Sequence, residues 1–273
     1  MANSRIGLRT RPGLISNYTQ GSAGGDADAN LFLQATLITD ATITSAIQQL
    51  VIDLKAYNLW TKFKAIYPFV GGTASTHKWN LKDARDLDAA FRLVFAGGIT
   101  HSSTGVLFNG SNAYADTKLI PNTSLTASSG HLSIYSRTNV SENSYDIGVT
   151  TAGTADNMVA SRYGSNVFYA NYGALTYPSY SNLDSRGYFM TNRNTSTNTT
   201  GFLNGVRVIN TAQTGAVATK VLYIGCLNND GNPTNYSTRQ LSFVTVGDGL
   251  TDTEAGDLYT AVQAFQTTLG RQV

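Results

Sequence analysis

Chemistry at a glycosidic bond needs two carboxylates facing each other across it, about 5–5.5 Å apart for retention or about 6.5–9.5 Å for inversion. The only glutamates in this chain are Glu142 and Glu254. Glu142 falls in an Asn/Ser loop, Glu254 falls in a helix-start motif, and no Glu-x-Asp-x-Glu cluster occurs. The residues therefore predict a protein that is not an enzyme of that type. His77, His101 and His131 lack metal-ligand spacing. Cys226, the single cysteine, follows a strand glycine and reads as a small buried residue. No phosphate-cradling or dinucleotide glycine motif appears, so neither a metal nor a cofactor is expected.

One segment is different in kind. Tyr163, Phe168, Tyr169, Tyr172, Tyr177, Tyr180 and Tyr188 fall close together, with Asn166, Asn171 and Arg193 nearby. Aromatic rings stack on the C–H face of a sugar, and amides and guanidinium groups bind its hydroxyls. Tyr163, Tyr169, Tyr172, Tyr177, Tyr180 and Arg193 are thus the candidate carbohydrate-binding residues. The competing reading places alternate tyrosines in a sandwich core or a subunit contact.

The composition suits such a surface. Charged residues make up 13% of the 273 residues, about half the usual share, and the polarity comes from Ser, Thr, Asn, Gly and 15 Tyr. A formal net charge of +2 gives no reason to expect nucleic acid or an anionic membrane as partner. No apolar run of 18 residues predicts a membrane span, no secretory signal is visible, and a lone cysteine fits folding in a reducing cytoplasm.

The elements that must hold these residues are mostly strands. Asn204-Gly205 between two β-rich runs predicts a two-residue hairpin, because both residues tolerate positive φ. Gly105–Ala115, with Asn109-Gly110 inside it, predicts a second hairpin. Further strands are expected at 62–70, 92–95, 131–137, 145–149, 158–162, 167–171, 188–193 and 220–225, and in the run 240–250 that ends in a Gly-Asp-Gly turn. No helical period interrupts 96–249, so parallel crossovers are not expected. Thr251-Asp-Thr-Glu254 is a capping box opening a final helix, and Gly270 stops it. Upstream, 1–27 reads as an extended arm and 28–61 as a helical attachment segment, with the sandwich at 62–273. Ile43, Ile47, Leu50 and Leu54 line one helix face, packing either on the sandwich or on a partner chain.

The order Ala65-Ile-Tyr-Pro-Phe-Val-Gly71, Gly105–Tyr114, Phe202–Val206, Leu222–Gly225 and the closing strand with its capped helix resembles the laminin-G-like, concanavalin A-like jelly roll. The resemblance implies an antiparallel β-sandwich with an N-terminal arm and helix and a C-terminal capping helix. It also raises a calcium site, with Asp116, Asp146, Asp156 or Asp230 as ligands, though none has the dense oxygen spacing of a loop site. Two blocks, Tyr67–Asp83 and Val246–Arg271, are similar to structural proteins of tailed bacteriophages, the virion components of head or tail fibre and decoration type. That similarity implies a virion protein assembled in the host bacterial cytoplasm. It would be a homo-oligomer touching other virion proteins and host surface glycans. Arg5, Arg9, Arg11, Leu14, Ile43, Ile47, Leu50 and Leu54 would then serve virion attachment. The alternatives are a free carbohydrate-binding lectin and, less favoured for want of the acid pair, a glycan depolymerase.

Overall fold

The computed structural model describes residues 24–174 and 176–273. Arg5, Arg9, Arg11 and Leu14 lie outside the described residues. Two sheets form the body. In the first, strands run in the order Val206–Ala212, Asn198–Leu203, Gly187–Arg193, Gly130–Ser136, Gln240–Gly247, Gly105–Leu107, Thr100–Ser102, with Phe63–Tyr67 also paired to Gln240–Gly247. The second runs Ser179–Ser181, Val167–Gly173, Ala155–Tyr163, Ile147–Thr151, Tyr223–Ile224, Tyr114–Asp116, Val94–Ala96. Pairing along both orders is antiparallel, as expected. A three-residue strand, Leu227–Asn229, lies parallel to Ile147–Thr151 without a helical crossover; the chain reaches it by reversing at Gly225, whose φ is 85°.

The space between the sheets is filled by alternate residues of each strand. Leu132, Ile134, Phe189, Val244 and Val246 from the first sheet meet Ile147, Val149, Val159, Phe168 and Tyr172 from the second. Period-two alternation then sends the other residues outward. On the first sheet these are Tyr135, Tyr188, Met190, Phe202 and Phe243, and they are covered by helices.

Those helices are Ala27–Thr36, Ala41–Ala56 and Asp252–Thr268. Asp40 caps the second, accepting from the Ile43 N–H at 2.8 Å. Thr251 and Glu254 form the expected reciprocal box at the start of the third. Ile47, Leu50 and Leu54 are at most 1% exposed and Ile43 is half-buried, all within the cluster that holds Phe243, Leu258 and Phe265. The apolar helix face expected to serve virion attachment is therefore consumed inside the chain. It packs against the C-terminal helix and the sheet because that burial removes several large side chains from water at once. The helices expected as a separate 28–61 segment share one core with the sandwich.

Both Asn-Gly pairs make turns, but of different kinds. Asn204 and Gly205, with φ of 47° and 77°, join Leu203 to Val206 in a tight hairpin. Asn109-Gly110 makes no hairpin, because Gly105–Leu107 and Tyr114–Asp116 belong to different sheets. The Asn109 Oδ1 accepts from the backbone N–H groups of Ser111, Asn112 and Ala113 at 3.0–3.1 Å, which shapes a corner that carries the chain from one sheet to the other.

Candidate functional site

The outer face of the second sheet carries no helix among the described residues. Along Val167–Gly173 the side chains of Phe168, Ala170 and Tyr172 enter the core, which turns Tyr169 and Asn171 outward. On the neighbouring strand Met158 and Ala160 share that outer face, with Asp156 in the same alternation. Tyr163, Tyr145 and Leu227 complete the cluster, and Tyr177 reaches it from the loop after Gly173. Gly148 makes room beneath: a Cβ there would meet Leu227 Cδ1 at 3.0 Å and Met158 Cβ at 3.3 Å.

The rings form a continuous series. Tyr145 and Tyr163 have centroids 5.5 Å apart at 49°, Tyr163 and Tyr169 5.3 Å at 63°, and Tyr169 and Tyr177 5.9 Å at 66°. Tyr145 is nearly buried, Tyr163 and Tyr169 are half-buried, and Tyr177 is 49% exposed. Burial first, then the neighbouring phenols and the Asp156 charge, raise the Tyr145 phenol far above its ordinary range. Tyr177 is raised for the same reasons, burial foremost and the Asp156 charge next. At the floor, Asp156 is 1% exposed and its Oδ2 has no hydrogen-bond partner; burial pushes its carboxyl up. Asn171 is fully buried; its Oδ1 accepts from Gln213 Nε2 at 2.7 Å, but its Nδ2 is unpartnered.

Of the six carbohydrate-binding candidates, Tyr163, Tyr169 and Tyr177 are brought together here. Tyr172 is not available: it is fully buried between the sheets and its hydroxyl donates to the Thr126 carbonyl at 3.0 Å. Arg193 is likewise buried; its Nη2 donates to the Ser196 carbonyl at 2.8 Å and its Nη1 to Thr199 Oγ1 at 3.0 Å, so it ties loops together. Tyr180 is exposed, but it pairs with Phe168 in register and so sits on the other side of the sheet edge from Tyr169. Tyr145 and Asp156 were not among the candidates for this face. The period-two pattern of 155–163 could have placed Asp156 with Met158, whereas nothing local marks Tyr145.

The remaining polar groups do structural work. Glu142 accepts from Ser144, Ser237 and Thr238, and Glu254 caps its helix while pairing with Lys62. Asp116, Asp146 and Asp230 each face a cation, Lys118, Arg239 and Lys220, and no cluster of three metal-binding side chains occurs among the described residues. His77 and His101, far apart in sequence, meet with Nδ1 atoms 3.0 Å apart; His77 Nε2 accepts from the Gly72 N–H, so a single proton lies between the rings. Burial, then His101 and Arg271, lowers the His77 pKa to about 3. A polar cleft of about 440 Å³ opens near Asn198, Asn210 and Arg207, but Arg207 is already paired with Asp252 at 2.8 Å and no aromatic ring lines it.

No family model matches the chain, and no curated protein matches it. Solved structures do. A mutant of Trypanosoma rangeli sialidase displaying trans-sialidase activity matches with a TM-score of 0.53 at 11% identity, over 83% of this chain and 39% of that one. Domain 4 of an extracellular arabinanase from Geobacillus stearothermophilus, in complex with arabinotriose, matches at 0.44 and 13% identity, over 72% of this chain and 98% of that domain. The receptor binding domain of botulinum neurotoxin C/D mosaic serotype matches at 0.49 and 8% identity, over 74% and 51%. The chain thus spans about two fifths of the length of the sialidase. At such identities the likeness is one of fold: this chain is a mainly β, jelly-roll-type sandwich.

Proposed function

We propose that this chain is a non-catalytic glycan-binding domain, and that it serves as an exposed structural component of a bacteriophage particle. The observation that carries the glycan reading is the helix-free sheet face on which the ring series Tyr145, Tyr163, Tyr169 and Tyr177 shares its side of the sheet with two buried polar groups, Asp156 and Asn171, that keep unfilled hydrogen-bonding capacity. Buried donors and acceptors are normally satisfied, and leaving one unmade costs about 1–3 kcal/mol. A sugar brings C–H faces for rings and hydroxyls for the Asp156 acceptor and the Asn171 donor. The non-catalytic reading is supported by the engagement of both glutamates, Glu142 by the Ser144, Ser237 and Thr238 hydroxyls and Glu254 by its helix start and Lys62. The virion role is supported by the resemblance carried by the Tyr67–Asp83 and Val246–Arg271 blocks.

A glycan array probed with the full chain tests the first part: binding is expected, and Tyr169→Ala should weaken it about tenfold, the worth of one good aromatic contact. Incubation with host capsular polysaccharide should leave chain length unchanged; shortening would show a depolymerase instead. Mass spectrometry of purified virions should find the chain in stoichiometric amounts. Glycan binding with absence from particles would favour a free lectin.

A further inference from the structure

Two acidic side chains in the described fold are almost wholly buried, Asp146 and Asp156, each at most 1% exposed. Their surroundings differ. Asp146 meets the buried guanidinium of Arg239 at 3.2 Å, and its other oxygen accepts from the Ser161 N–H at 2.6 Å. Asp156 pairs with no Lys, Arg or His among the described residues; the Thr150 and Tyr177 hydroxyls face its carboxyl, but both are neutral and its buried Oδ2 is left without a partner. A carboxylate withdrawn from water without a counter-charge is costly, and the group answers by holding its proton or by taking up a cation. Asp156 lies on the outward face, beside the Tyr145 and Tyr177 phenols that feel its charge.

The ring geometry narrows what would fit. A flat platform for one face of a pyranose needs rings lying nearly in a plane. Here successive rings stand at 49°, 63° and 66° to one another. Rings inclined in this way form a wall around a compact group. Their faces carry negative quadrupole density, which attracts ammonium groups within about 6 Å. Wall and floor are thus both electronegative. A neutral hydroxyl would occupy the Asp156 oxygen but leave its charge unmatched, and an acidic sugar would be repelled.

We infer that the tyrosine wall with Asp156 at its floor binds an ammonium group carried on the glycan. The domain therefore prefers polysaccharides with free amino sugars over N-acetylated or acidic ones. The glycan part of this inference rests on the function proposed above; the ammonium part does not.

The test uses the full chain, calorimetry and two tetrasaccharides that differ only at nitrogen, one of glucosamine and one of N-acetylglucosamine, at slightly acidic pH where the amines hold their protons. Tetramethylammonium chloride serves as a sugar-free probe, followed by the NMR signals of the tyrosine rings. The glucosamine oligomer should bind about tenfold more tightly than its acetylated counterpart. Asp156→Asn, which keeps the side-chain shape, should remove that preference, and the probe should shift the ring signals of the wild type but not of the variant. Equal binding of the two oligomers, a preference that survives Asp156→Asn, or ring signals unmoved by the probe would each overturn the ammonium site. If the probe binds through Asp156 while no glycan of any kind binds, the ammonium site stands and the glycan function falls.

Discussion

The outer faces of the two sheets are built from the same period-two alternation yet finish differently. On the first sheet the outward residues are Tyr135, Tyr188, Met190, Phe202 and Phe243, and three amphipathic helices seal them. On the second they are Tyr163, Tyr169, Met158 and Asn171, with tyrosines in place of helices. The Tyr135 hydroxyl receives the Val273 N–H at 3.0 Å and lies 3.1 Å from Gln263 Oε1, so its polar end is used internally. The Tyr177 hydroxyl instead faces the Asp156 carboxyl, and Tyr177 is 49% exposed. A tyrosine is equally at home in both settings because its ring is apolar and its tip is not. The two settings differ in exposure: Tyr135 and Tyr188 are fully buried under helices, whereas Tyr177 is exposed.

The contrast can be broken by substitution, starting with the largest effect. Phe243→Ala on the sealed face should lower unfolding free energy by about 3–5 kcal/mol in urea titration, because Phe265, 5.7 Å away, cannot collapse into the space. Tyr172→Ala, in the inter-sheet core, should behave alike, and in both variants the molecules that stay folded should bind glycan as the wild type does. Loss of binding without loss of stability in Tyr172→Ala would mean the core assignment of that residue is wrong.

Acid should act on the sealed side next. His131 is fully buried, its Nδ1 2.7 Å from the Asp248 carbonyl and its ring edge-on to Phe63, and burial above all lowers its pKa to about 4. An unfolded chain takes up that proton near pH 6.5, whereas the folded chain refuses it until about pH 4. Stability is thus complete above pH 6.5 and falls as pH drops towards 4, by about 3 kcal/mol for this residue. Urea titrations at pH 7 and pH 4 measure the loss, and His131→Gln should remove this share of it.

Tyr169→Ala on the helix-free face inverts the pattern: a cost of about 1 kcal/mol or less in stability, with the roughly tenfold loss in binding already described. The smallest change belongs to Asp156→Asn. Burial raises the Asp156 pKa, so the folded chain holds its proton to higher pH than the unfolded chain, and ionisation through the raised pKa removes stability as pH rises. The asparagine variant should therefore be slightly more stable than wild type at neutral pH and indistinguishable in acid. A wild-type advantage at neutral pH would mean that a cation inside the chain already serves Asp156.

The sequence made some of this plain. The capping box at Thr251 and Glu254, the helix face through Ile47, Leu50 and Leu54, and the hairpin at Asn204-Gly205 are local signals, and each determines its own geometry. Asn109-Gly110 carried the same signal with a different outcome, since the choice between hairpin and corner depends on where the next strand finds its partner. In the tyrosine segment, alternation told which residues share a face but not which face points inward. Tyr169 and Tyr172 stand on opposite sides for that reason, and all six candidates looked equivalent until the parity was known. Tyr145 joins the cluster from beyond a turn and a strand, and Asp156 matters through what it lacks, which no linear pattern displays.

The helix layer gives the molecule a back. The described chain starts on that layer, where Asp26 meets Lys55 at 2.7 Å and Gln48 receives its N–H. The tyrosine wall lies beyond both sheets, on the order of 20 Å further on if each layer contributes its usual spacing of about 10 Å. A particle that grips this protein from the helix side would hold every copy with its tyrosines turned towards the surrounding medium. Orientation would then come from the layering of the fold, with no hinge or adaptor required.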